Sequence, residues 1–138
     1  MLDEIIKSAS ALGACKQIDE ANDYRSLTTL FFSPQGQEFC KKHNFPSLEI
    51  FRQIKNDIER KGIYIDCGTI DLPERKHICL IGDTTATIEA SGVEYVHTII
   101  LMHGAKAIIN ASNYAVLHIV NVSGLDVTIN KDNTVAVL

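Results

Sequence analysis

IILMHGAKAIINASNYAVLH (residues 99–118) runs without a gap into IVNVSGLDVTINKDNTVAVL (residues 119–138), and the second stretch nearly repeats the first. Self-similarity at a fixed period of ~20 residues is the mark of a solenoid, because one such unit cannot bury its inner face alone and copies must stack to share a core. The alignment extends upstream to a third unit. Gly82, Gly104 and Gly124 correspond, as do Leu80, Met102 and Val122, with a one-residue slip in the first unit between Gly82 and Ile88. Ile88-Glu89-Ala90-Ser91 matches Ile109-Asn110-Ala111-Ser112 and Ile129-Asn130-Lys131-Asp132. Gly92, Asn113 and Asn133 fall at one turn position, where Gly and Asn tolerate a positive φ, and apolar residues recur at Val96, Leu117 and Val137.

From Ile63 onward short segments rich in Ile, Val and Thr, such as 62–66, 78–81, 96–101 and 117–122, alternate with turn residues. We read residues 62–138 as a short right-handed parallel β-helix of three to four coils. A β-sandwich or jelly roll is the alternative, but it has no need for side chains to recur at a fixed distance. Stacking at ~4.8 Å would set Ile88, Ile109 and Ile129 over one another in the core, with Glu89, Asn110 and Asn130 as a polar ladder beside them.

Residues 1–61 follow a helical period instead. Leu2, Ile5, Ile6, Ala9 and Leu12 make one apolar stripe, and Ser33-Pro34 is a cap with proline at the first helical position of a short helix over 35–43. After Asn44-Phe45-Pro46, Ser47 caps a longer helix carrying Leu48, Phe51, Ile54 and Ile58 until Lys61-Gly62 ends it. Gly36, in the first turn after Pro34, reads as a flexible point, since a lone glycine is too little to cradle a phosphate. The whole is an α+β chain, a helical cap over 1–61 followed by the β-helix.

Composition narrows the function. A hydrophobic fraction of 46% with 22% charged residues fits a folded globular chain. No apolar run approaches the ~18 residues that span a bilayer, and Asp3 and Glu4 stand where a signal peptide carries positive charge, so a cytoplasmic chain with no membrane partner is expected. Cys15, Cys40, Cys67 and Cys79 lie far apart without metal-ligand spacing and read as free thiols. Residues 1–61 balance nine acids against nine Lys and Arg, whereas 62–138 hold eight acids and four Lys and Arg, which disfavours a nucleic-acid face on the repeats.

No P-loop, dinucleotide fingerprint, nucleophile elbow or zincin helix is present, so no catalytic residue and no cofactor are expected. His97 and His118 align in the repeat and are the candidates for a metal pair on adjacent coils, but the third equivalent position is Leu138, so no metal is expected. His103 reads as a tolerant turn-edge position. Residues 37–55 have the outline of a helix-turn-helix around Cys40, Asn44 and Ile50, with Lys41, Lys42, Arg52 and Lys55 as possible phosphate contacts. Pro46, Glu49 and the nearly balanced local charge argue instead for an ordinary helical hairpin. The acids of the coil region, including Asp83, Glu89, Glu94, Asp126 and Asp132, are scattered, which weakens a glycan-cleaving reading.

The combination of SPQGQEFC, NFPSL, GIYID, LMHGA and INAS resembles a group of small bacterial proteins of Bacteroidetes type. That group has no assigned activity, and the resemblance implies only a bacterial cytoplasmic or mobile-element setting. The expected role is a non-enzymatic structural or protein-interaction module, a homo-oligomer or the docking site of a protein partner. Its interaction residues would be Thr134, Val135, Val137 and Leu138, at an end of the coil stack with no polar cap. A DNA-binding regulator using 37–55 and a glycan-binding or glycan-cleaving module are the alternatives.

Overall fold

A computed structural model describes residues 1–122, 125 and 127–138, with Arg60 described through its backbone only. The repeat positions Ser123, Gly124 and Asp126 lie outside the described residues. The chain forms two compact units, Met1–Lys61 and Gly62–Leu138.

The first unit holds α1 (Leu2–Ala11), a 3-10 turn at Lys16–Glu20, α2 (Tyr24–Phe31), α3 (Pro34–His43), α4 (Leu48–Ile58) and a closing 3-10 turn at Glu59–Lys61. Local chemistry explains the boundaries. The Ser33 hydroxyl accepts the Gly36 N–H at 3.1 Å and the Ser47 hydroxyl accepts the Ile50 N–H at 3.2 Å, each satisfying a donor that the first helical turn leaves free. Asp23 caps α2 in a reciprocal box with Ser26. Asn44 ends α3 in the left-handed conformation, with φ 49°. Phe51, Ile54 and Ile58 on α4, Ile5 and Ala9 on α1, and Cys40 on α3 are buried. Phe31 meets Phe32 and Phe51 edge to face, at centroid distances of 5.1 and 6.3 Å.

Gly36 has a steric role that its reading as a flexible point misses. A Cβ there would stand 2.0 Å from the Leu30 carbonyl oxygen and 2.7 Å from that of Phe31. The first turn of α3 therefore passes close against the last turn of α2, and only glycine leaves room.

The second unit is a parallel β-solenoid of about four turns, as the repeat implies, and every strand pair is parallel, which excludes the sandwich. Its strands are β1 (Ile63–Ile65), β2 (Gly68–Leu72), β3 (His77–Ile81), β4 (Thr84–Ser91), β5 (Val96–Met102), β6 (Lys106–Ser112), β7 (Val116–Asn121), β8 (Val127–Lys131) and β9 (Ala136–Val137). Odd strands stack as one sheet, β1-β3-β5-β7-β9, and even strands as the other, β2-β4-β6-β8. The core lies between them. β4 alternates buried and less buried residues, and its inward row Ala86, Ile88, Ala90 is repeated by Ala107, Ile109, Ala111 on β6. These small-large-small rows face the larger Ile78, Leu80, Ile99, Leu101 and Leu117 of the other sheet.

Register corrects the sequence alignment in detail. Leu80 pairs with Leu101 and Ile81 with Met102, so the step between the second and third coils is 21 residues on both sheets and the slip after Gly82 does not exist. The next step is 20 residues, which sets Val96 over Val116 and His97 over Leu117. Gly82 donates its N–H to Met102 O, and the residues one past these strand ends, Gly82 and His103, both take positive φ, 67° and 56°. His103 thus holds the turn position that glycine holds one coil earlier. β1 and β2 form a shorter first coil, 16 residues before β3 and β4.

Candidate functional site

Two places in the β-solenoid carry chemistry that the stacking itself does not use. The first is the end of the stack formed by β8 and β9. β8 and β9 each have one neighbouring strand, β6 and β7 respectively, as β1 and β2 do at the other end. Of the residues expected there, Val135 is 7% exposed and belongs to the core, which removes it from any contact surface. Thr134 is engaged locally, its N–H and hydroxyl donating to Asp132 Oδ1 while its Oγ1 accepts the Tyr114 N–H at 2.9 Å. Those bonds hold the Asp132 carboxyl below its ordinary range, the Thr134 hydroxyl first and its backbone N–H second. Val137 and Leu138 remain exposed, by 42% and 70%.

The second place is a polar corner where the loop before β3 meets the start of β5. His97 points inward from β5, in register with Leu117 and, through it, Val137. It is 2% exposed, and its Nε2 is buried with no hydrogen-bond partner. Glu74 Oε1 stands 3.6 Å from that nitrogen and accepts the Tyr95 hydroxyl at 3.4 Å. The Tyr95 and His97 rings lie 4.8 Å apart, steeply inclined. Thr98 N–H donates to Lys76 O at 2.8 Å, which fastens the Glu74 loop to β5. Glu74 and Tyr95 also line an open depression of about 350 Å³ with Ser91, Gly92, Glu94 and Asn113. Desolvation, then the charge and hydrogen bond of Glu74, raise the Tyr95 phenol above its ordinary range, so it acts there as a donor.

The expected histidine pair is not assembled. Register places Thr98, not His97, opposite His118, and since successive strand residues alternate, the two imidazoles belong to opposite faces. The residues sequence reasoning passed over are Glu74 and Tyr95. They are 21 residues apart, the same step that separates Glu89 from Asn110, so the repeat period itself could have found them. Among the described residues no three His, Cys, Asp or Glu side chains gather into a metal-holding group.

The basic residues of 37–55 sit on two helices. Lys41 and Lys42 are exposed in the last turn of α3, Arg52 is exposed on α4, and Lys55 lies 3.8 Å from Glu59. Cys15 is exposed, Cys67 half-buried, and Cys40 and Cys79 buried, all as free thiols. Burial pushes the Cys40 thiol up to about 12, which keeps it protonated and unreactive. Among the described residues no helix is long and apolar enough to cross a membrane. No family model, curated protein or solved structure matches the chain.

Proposed function

We infer that the chain is a non-enzymatic structural or protein-interaction module that self-associates, or docks a protein partner, by adding strands to the free edges of β8 and β9. The observation that carries this reading is the exposure of Val137 and Leu138 beside strands paired on one side; β1 and β2 are also paired on one side, but Ile63 and Ile65 of β1 are buried. An edge strand presents a row of backbone donors and acceptors that a second strand can satisfy, and the exposed apolar side chains give that strand something to cover. On this reading the module works in the bacterial cytoplasm, where its four thiols stay reduced.

The test is the solution mass of the 138-residue chain by light scattering on a sizing column. A dimer or trimer is expected, and Val137→Lys with Leu138→Lys should return it to 15.3 kDa. A wild-type monomer at high concentration that also captures no partner strand sinks the reading. Deleting residues 134–138 would be a poorer test, because it also removes Val135 from the core and the Thr134 bonds to Asp132 and Tyr114.

A further inference from the structure

We propose that His97 Nε2 and the Glu74 carboxylate are the two protein ligands of a divalent first-row cation of the Zn²⁺ type, bound at the rim of the depression that Glu74 and Tyr95 line. The starting point is the imidazole. A histidine occupies a position that Leu117 and Val137 fill in the following coils, and it leaves a buried nitrogen with no partner. An unsatisfied buried polar atom is rare in folded proteins and costs about 1–3 kcal/mol, so it calls for a partner of its own.

Glu74 does not meet that need directly. Its Oε1 is 3.6 Å from Nε2, beyond hydrogen-bonding distance. The gap suits an ion instead. Two donors each ~2.1 Å from a tetrahedral ion stand ~3.4 Å apart, close to the separation observed. Imidazole nitrogen with carboxylate oxygen is a donor set for borderline cations rather than for calcium or magnesium. The ion would satisfy Nε2 and offset the Glu74 charge in one step. Tyr95, donating to the same carboxylate at 3.4 Å, would orient it as an outer partner.

Two protein ligands leave open positions, and water would reach them from the Glu74 side, since Glu74 lines the depression and the buried His97 does not. Glu74 is 39% exposed and the wall is polar, with Ser91, Glu94 and Asn113 around it. A Cβ added at Gly92 would meet no atom within 4 Å, so that side of the depression is unobstructed. Arg75 and Lys76 flank Glu74 in sequence but are exposed, where solvent and salt screen them. A metal held this way keeps exchangeable positions, as ligand-accepting sites do and closed structural sites do not.

The test is calorimetric titration of the metal-free chain with Zn²⁺, in the Cys15→Ser background so that the exposed thiol does not compete. One ion per chain is expected, with a rise in melting temperature on loading. Glu74→Gln, at a partly exposed position, should weaken binding by about tenfold or more. His97→Leu, which matches the residue one coil on, should abolish binding while raising the melting temperature of the metal-free chain. X-ray absorption of the loaded protein should report a single imidazole among oxygen donors. Absence of Zn²⁺ binding in the parent chain overturns the proposal, and so does an affinity left unchanged by Glu74→Gln or one-ion binding retained by His97→Leu. Because the readouts are metal occupancy and coordination, they stand apart from the oligomeric state.

Discussion

Asn110 donates through Nδ2 to Glu89 Oε1 at 3.0 Å and accepts from Asn130 Nδ2 at 2.9 Å, so one side chain links three coils. The ladder runs in one direction, each amide donating to the coil before it. A two-residue slip between β4 and β6 would set Ile88 over an alanine and would also cost the amides their partners, so the apolar rows and the ladder specify the same register. Asn110→Ala should therefore cost about 1 kcal/mol in denaturant unfolding. Its neighbour Ile109, fully buried, should cost about 2–5 kcal/mol as Ile109→Ala, through lost burial and the cavity left behind. If the two variants proved equal, the ladder would carry more than its hydrogen bonds. Gly36→Ala is a different kind of change, since it adds a methyl 2.0 Å from a carbonyl oxygen instead of removing contacts. It should destabilise the helical unit by about 1–3 kcal/mol or more, read from helix unfolding by circular dichroism.

At the scale of elements, helix ends were legible because caps are local chemistry: Ser33 and Ser47 bond backbone donors within three residues of themselves. The strands of the even sheet were legible for a related reason, since Thr84–Ser91 and Lys106–Ser112 keep the two-residue alternation of a half-buried strand. β3 and β5 hid their register because each is buried along nearly its whole length, and an unbroken apolar run offers no phase to align. That is why His97 was matched with His118, and why Glu74 and Tyr95, which lie in loops, were passed over. Asp23 gives the element scale a pH test. The Ser26 backbone N–H, then its hydroxyl, hold the Asp23 carboxyl below the ordinary carboxylate range. A folded-state value below the unfolded one, ~3.9, stabilises fully above that pH and loses the stabilisation as pH falls through the folded value. Thermal melts between pH 2 and 6 should show this loss, and Asp23→Ala should flatten its share of the slope.

At the scale of the whole molecule, the solenoid behaves as a one-dimensional stack in which each coil is held by its neighbours alone. β4 and β6 pair on both sides, and so do β3, β5 and β7, whereas β1 and β2 at one end and β8 and β9 at the other pair on one. Opening at a terminal strand therefore breaks one interface, and opening in the middle breaks two. Amide hydrogen exchange should rank accordingly, with the strongest protection over Thr84–Ser91 and Lys106–Ser112 and progressively weaker protection through β8 and β9. The same experiment separates a bare edge from a covered one. If a second copy adds strands there, protection of Val127–Lys131 and Ala136–Val137 should rise with protein concentration while that of β4 stays constant, because association stabilises by mass action only the strands it covers. Val137→Lys should remove the concentration dependence and leave the interior ranking intact. Uniform protection along the stack at every concentration would mean that the coils open as one cooperative body, and that nearest-neighbour stacking does not govern this fold.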